Sequence, residues 1–282
     1  MPHLNCEISQ SLWTALQAAI AESGETLDHI VSRALADTLQ VDHGTLFQVS
    51  TTGALVEGVF AGAVSVGTLR EHGNFGLGTF AELDGEMIAF DGAFHQMCSD
   101  GTIRPADDLQ QVPFAVVTHF EPQERSVLEQ FTSMVDLCAQ LDRHRETDNL
   151  FFAVRLSGTF SHVHSRIACK AAPHQTLVEA TAHQAEFDAS AVEGTMVGFW
   201  TPAYAKGLGV PGWHLHFLSA DKAQGGHVLD AAGSGVTLSL ERIDDFRIAI
   251  PETADFLAAD LTRDSSAALD KVERVQHAPA SA

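Results

Sequence analysis

The chain has 282 residues, 45% of them hydrophobic and 19% charged, with a formal net charge of −21 at pH 7. That length holds one large or two ordinary domains around a sizeable core. So acidic a chain excludes attraction to nucleic acid or to an anionic membrane through bulk electrostatics.

No stretch is long and apolar enough to cross a bilayer. The opening MPHLNCEISQ has neither the basic nor the apolar region of a secretory signal. The cysteines Cys6, Cys98, Cys138 and Cys169 lie far apart and form no C-x-x-C pair. They read as free thiols of a reducing cytoplasm, not as metal ligands.

Residues 3–8 alternate as a short strand. Ser9 can cap a helix running to Glu22, with Leu12, Leu16, Ala19 and Ile20 on one face. Ser23-Gly24 breaks it, and Thr26 can cap a second helix through Leu27, Ile30, Val31 and Leu35 to Leu39. A strand followed by two short helices resembles a ribbon-helix-helix unit, a kind that pairs through its strands and can bind DNA. This copy has one arginine, Arg33, and no lysine. Residues 1–42 are therefore expected to be a dimerisation element or a cap, not a DNA reader.

From His43 the pattern turns to short strands. TLFQVST (45–51) is a strand and ALVEGVFAG (54–62) a helical turn. Asp84-Gly85, Asp91-Gly92 and Asp100-Gly101 mark tight turns of a β-meander. The Gly-rich EHGNFGLGTF (71–80) lacks the lysine and the strand-to-helix context of a phosphate loop, and reads as a tight path beneath a site. Glu86 follows the Asp84-Gly85 turn and, by local sequence alone, is a surface carboxylate.

FAVVTHF (114–120) is a strand. A helix is predicted over 123–141, with an apolar stripe from Val127 to Cys138 that buries the Cys138 thiol. LFFAVRLSGTF (150–160) and SHVHSRIAC (161–169) read as two strands, with His162, His164 and Arg166 on one face. Arg166 is either an ion-pair partner or a carboxylate anchor. LVEATAHQAEF (177–187) is predicted helical and EGTMVGFWTP (193–202) a buried strand. VTLSLERID (236–244) and FRIAIP (246–251) are further strands before a helical tail that contains Glu273.

The segment 211–230, PGWHLHFLSADKAQGGHVLD, reads as a β-hairpin with histidines on both arms. His214 and His216 share a face, and Leu215 and Phe217 point the other way. His227 joins them if it pairs opposite an even-numbered residue such as His216, or if Gly225-Gly226 forms a bulge. Three neutral imidazoles suit zinc, at Zn–N distances of about 2.0–2.1 Å, and three protein ligands leave a position open for chemistry. The chain carries fifteen histidines, and an H-x-H pair among them can arise by chance. Spacing alone therefore leaves both a metal site and core histidines open. His162 and His164 form a second H-x-H pair and rank lower, because no third histidine follows at hairpin spacing.

HGNFGLGTFAELDGEM, SDGTIRPADD, NLFFAVRLSGTFSHVHSR and VEGTMVGFWTPAYAKGLGVPGWHLHFLSADKAQGGHVLD together resemble the alpha-acetolactate decarboxylase family. The similarity runs from about residue 43 to the end. It implies a zinc-dependent lyase that converts acetolactate to acetoin and carbon dioxide. Composition, the missing signal and the N-terminal unit lead us to expect a cytoplasmic homodimer that needs neither nucleic acid nor membrane. The resemblance also implies an α+β fold of two packed β-rich halves with flanking helices, here 43–170 and 171–282. It assigns His214, His216 and His227 to the metal and gives catalytic roles to Glu86, Arg166 and Glu273.

The ketone and tertiary hydroxyl of such a substrate suit chelation by one metal ion, which would replace an organic cofactor as the electron sink. Two rivals follow from the residues. A cupin-like metal enzyme would place a glutamate soon after the H-x-H pair, where this chain has FLSAD. A ribbon-helix-helix regulator with a metal- or ligand-sensing domain would use the same N-terminal unit without catalysis.

Overall fold

The computed structural model describes residues 4–39, 43–182 and 184–273, except the side chains of Asp270 and Glu273. The chain forms two compact units, Met1–His43 and Gly44–Ala282.

In the first unit the Ser9 hydroxyl accepts the Leu12 N–H at 3.2 Å and starts helix α1 (Gln10–Ser23). Gly24, at φ 74°, ends it by donating to the Ile20 carbonyl. Thr26 accepts the His29 N–H at 3.2 Å at the start of α2 (Leu27–Leu39). Both expected caps are present. The expected strand over 3–8 is not seen among the described residues: residues 4–9 take no regular structure and pair with no described strand, and His3 lies outside the described residues.

In the second unit β1 (Thr45–Val49) leads into α3 (Thr52–Val56), β2 (Val64–Ser65) and α4 (Val66–His72). The meander β3 (Phe75–Thr79), β4 (Glu86–Phe90), β5 (Ala93–Met97) and β6 (Ile103–Pro105) follows, then β7 (Gln111–Val112) and β8 (Phe114–Thr118). Asp91 and Gly92, at φ 51° and 75°, make the two-residue turn between β4 and β5 that their sequence requires.

Next come β9 (Glu124–Val127), α5 (Met134–Asp142), β10 (Phe151–Ile167), α6 (Leu177–Thr181) and β11 (Ala185–Thr201). The chain continues through β12 (Gly212–Ser219), β13 (Gly225–Gly233), β14 (Thr237–Ile243), β15 (Asp245–Ala249), α7 (Ala254–Ala258) and α8 (Ser266–Glu273).

Three expectations differ from this. The helix over 123–141 is a strand and a shorter helix. Glu124–Val127 pairs with β14, and the real cap is Ser133, whose hydroxyl accepts the Asp136 N–H at 3.2 Å. Val127 and Val135 are exposed and Cys138 is half-buried, so the proposed stripe is not the buried face. The helix over 177–187 stops at Thr181, because Ala185 already pairs with Ile167. The two strands at 150–169 are one 17-residue strand, β10, whose ladder with β13 shifts register near Phe160 and His164.

Sheet A has the order β15-β1-β8-β3-β4-β5-β6, antiparallel except for β1–β15. Sheet B has the order β11-β12-β13-β10-β14-β9, and β10 also pairs with β11, so β10 to β13 close into a ring. Sheet A takes β15 from late in the chain, and sheet B takes β9 and β10 from before residue 170. The halves expected at 43–170 and 171–282 are therefore interleaved.

The main core lies between the sheets. Leu77, Ile88 and Val116 from sheet A meet Val197, Phe199 and Leu218 from sheet B, with Leu55, Leu177, Leu269 and Val272 contributed by α3, α6 and α8. Strand alternation sends Met87, Ala115 and Val117 into a second core on the far side of sheet A, and Leu215 and Phe217 into a third behind sheet B.

Glu241 on β14 is a buried carboxyl, 1% exposed, that accepts the Glu121 N–H at 3.2 Å. Burial raises its pKa from 4.5 to about 8. Between those values the folded chain holds a proton that the unfolded chain has lost, so this group makes stability fall as pH rises. Glu241→Gln fixes the uncharged form. Denaturant unfolding should show the variant gaining roughly 3–5 kcal/mol over the parent chain between pH 5 and pH 8. Parallel profiles would show Glu241 ionised throughout.

Candidate active site

The ladder between the hairpin arms pairs His216 with His227, and the next ladder pairs His227 with Arg166. Directly paired residues point to the same face. His216, His227 and Arg166 therefore form one row across β12, β13 and β10, on the face toward sheet A, and His214 joins two residues along β12. The sequence condition on His227 is met through its first route, direct pairing with His216.

Glycine makes this register possible. A Cβ on Gly226, at φ 141°, would lie 2.5 Å from the Arg166 carbonyl, and one on Gly225 would lie 2.7 Å from that of Phe217.

The three imidazoles offer nitrogens that all lie within 4.8 Å of one another. His214 Nε2 stands 3.0 Å from His227 Nδ1. His216 Nδ1 donates to the Met87 carbonyl at 2.7 Å, which leaves the Nε2 lone pair facing the site. Burial, reinforced by the Arg166 charge, lowers the His214 pKa to about 3. Burial lowers that of His216 well below the ordinary value, with His214 and Arg166 adding to the effect. Both rings are neutral at pH 7, the state a metal ligand needs. Among the described residues this is the one histidine, cysteine and carboxylate group of that closeness.

Two charged groups join the imidazoles. Glu86, placed by sequence at the surface, is 7% exposed. It starts β4 on the face shared with Ile88, one carboxylate oxygen 3.6 Å from His216 Nε2 and the other accepting the Ala168 N–H at 3.3 Å. Arg166 is 3% exposed and donates from Nη1 to Gln184 Oε1 at 3.0 Å.

A small pocket holds these groups together. Its wall includes Thr52, Leu55, Thr79, Phe114, Leu177 and Val272. Thr79, paired with Glu86 across β3 and β4, gave no sequence signal. The Gly-rich stretch does run beneath the site: Gly78 lines it, and a Cβ there would lie 2.5 Å from the Phe114 carbonyl.

The remaining candidates stand elsewhere. His162 and His164 lie on the surface, both 2.9 Å from the Asp188 carboxylate. None of the four cysteines joins the imidazole group. Glu273 closes α8 one residue after the pocket-lining Val272, and its side chain lies outside the described part of the structure.

A family model described as alpha-acetolactate decarboxylase matches residues 46–263, stopping short of Glu273. The chain is 41% identical to the alpha-acetolactate decarboxylase of Brevibacillus brevis over 229 residues, covering 81% of this chain and 80% of that one. It is 40% identical to that of Methanosarcina mazei, with the same coverage. The crystal structure of the alpha-acetolactate decarboxylase of Bacillus subtilis strain 168 superposes with a TM-score of 0.79 at 35% identity, covering 82% of this chain and 99% of that one. A Staphylococcus aureus structure described as similar to alpha-acetolactate decarboxylase gives 0.76 at 31% identity, covering 80% and 97%. With this fold, this pocket and sequence identity of that extent, the chain belongs to the alpha-acetolactate decarboxylase family and is a carboxy-lyase.

Proposed function

We propose that the chain decarboxylates acetolactate to acetoin and carbon dioxide with one zinc ion held by His214, His216 and His227. The observation that carries this reading is the meeting, in one small pocket, of three imidazoles with a buried guanidinium and a buried carboxylate. The donor set fits the metal: two of the rings are held neutral by burial, and the Met87 carbonyl fixes the His216 tautomer so that Nε2 faces inward. Zinc bound there supplies a Lewis acid that polarises the substrate ketone and offsets the charge left on it when carbon dioxide departs.

The chain's own residues supply the rest. Arg166 faces the pocket from the row it shares with His227 and offers a planar fork to the substrate carboxylate. Gln184 steadies that fork from outside. Leu55, Phe114, Leu177 and Val272 give the pocket an apolar wall.

Glu86 holds the proton that replaces the lost carboxylate, and delivers it to carbon from one face. Glu273, on the helix that brings Val272 to the pocket, is the second carboxylate we assign to proton handling. A cytoplasmic setting fits cysteines that lie far apart in sequence and form no C-x-x-C pair.

Replacing His216 with Ala removes one of three ligands. Zinc measured after dialysis should fall from about one per chain to near zero, and acetoin formation should fall with it. Full metal occupancy in that variant would contradict the ligand assignment.

Arg166→Lys keeps charge and loses the fork. We expect kcat/KM to drop at least about a hundredfold, roughly 2.7 kcal/mol of transition-state stabilisation, with zinc content unchanged. Glu86→Gln keeps shape and removes the acid, so kcat should fall while zinc and fold persist. Kinetics near those of the parent chain in both variants would leave the imidazoles as the whole site.

A further inference from the structure

The second H-x-H pair, His162 and His164, is a motif that the lyase reading leaves unused. It stands on the same strand as Arg166. The β10–β11 ladder sets His164 opposite Asp188 and Arg166 opposite Glu186. Directly paired side chains share a face. The surface imidazoles and the pocket arginine therefore lie along one seam between β10 and β11.

A continuous run of polar contacts follows that seam. Arg166 Nη1 donates to Gln184 Oε1 at 3.0 Å, and Gln184 Nε2 donates to Glu186 Oε1 at 3.0 Å. The other Glu186 oxygen lies 3.2 Å from His164 Nε2. His164 Nδ1 and His162 Nε2 each lie 2.9 Å from Asp188 Oδ1. The bonds from His162 and His164 hold the Asp188 carboxyl below its ordinary range, so it stays an acceptor. The run thus begins at a buried guanidinium and ends at the surface.

Its direction is forced. A guanidinium only donates and a carboxylate only accepts. Gln184 stands between one of each, so its amide has a single orientation, oxygen toward Arg166. Glu186 is tied in turn by His164 and does not swing in solvent. A lone exposed ion pair does little, but charges linked in a network hold one another in place.

We infer that Gln184 and Glu186 are positioning residues for Arg166, anchored by His164 and Asp188, and that they set the angle at which the guanidinium meets the substrate carboxylate. This rests on the role given to Arg166 above. A guanidinium grips a carboxylate through two parallel bonds, so its orientation counts as well as its charge. His227 faces Arg166 from β13, and the seam holds it from the side of β11, the strand of sheet B next to β10 that carries none of the three imidazoles. The steering residues can therefore be changed without touching a ligand.

The test measures kcat/KM for acetolactate in the zinc-loaded full chain. Glu186→Ala should lower it about tenfold with zinc content unchanged. Gln184→Glu sets two carboxylates side by side and should cost at least as much. Adding Glu186→Gln to that variant restores an acceptor facing Arg166 and a donor behind it, and should bring kcat/KM back to within about twofold of the parent chain. On the Arg166→Lys background Glu186→Ala should cost less than about twofold, because the fork it orients is gone. A residue that merely supported the fold would cost the same in both backgrounds and would not be rescued by the exchange. Parent-like kcat/KM in Glu186→Ala, an undiminished loss on the Arg166→Lys background, or no rescue in the folded exchanged chain would overturn this inference alone. Parent-like kinetics in Arg166→Lys itself would overturn the reading of Arg166 and this inference with it.

Discussion

The site depends on a single register. His216 faces His227 across the hairpin, and His227 faces Arg166 across the next ladder. Strand side chains have a period of two, so a slip of one residue would turn His227 away from the imidazoles and put Val228 in its place. The register is held at both ends. Gly225 and Gly226 let the backbones approach where a Cβ would collide. Leu215, Phe217 and Val228 are buried in the core behind sheet B, and a one-residue slip would turn a strand's share of them toward the pocket. Packing on one face of the hairpin thus fixes chemistry on the other.

The second sheet completes the site. β4 contributes on both sides of its backbone: the Met87 carbonyl orients His216, and the Glu86 carboxylate stands beside the same ring. A buried carboxylate, a buried guanidinium and neutral imidazoles are costly to assemble without a purpose, since each loses hydration. β10 to β13 close into a ring, and α3, α6 and α8 line the pocket through Leu55, Leu177 and Val272.

Much of this was legible in the sequence where the signal is local. The hairpin, the shared face of His214 and His216, the condition on His227, the caps at Ser9 and Thr26, and the Gly-rich path beneath the site all follow from period, turn chemistry and spacing. Contacts distant in sequence were not legible. Glu86 looked like a surface carboxylate because a turn precedes it, and only its contacts with Ala168 and His216, both more than eighty residues away, bury it. Thr79 and Val272 reach the pocket through packing alone.

The helix read over 123–141 failed because apolar residues in a strand followed by a short helix imitate one amphipathic stripe. The break within β10 was read at a place where the ladder merely shifts register. The family resemblance supplied the role of Glu86, which no local pattern gave.

The central claim is that the imidazole row is a catalytic metal centre. It is tested most directly by titrating metal-stripped full-length chain with zinc while following acetoin release from acetolactate. Turnover should be negligible at first, rise in proportion to added zinc, and level off at about one equivalent per chain, the stoichiometry of a single open three-histidine site. Undiminished turnover by the stripped chain, or none after one equivalent has bound, would contradict it.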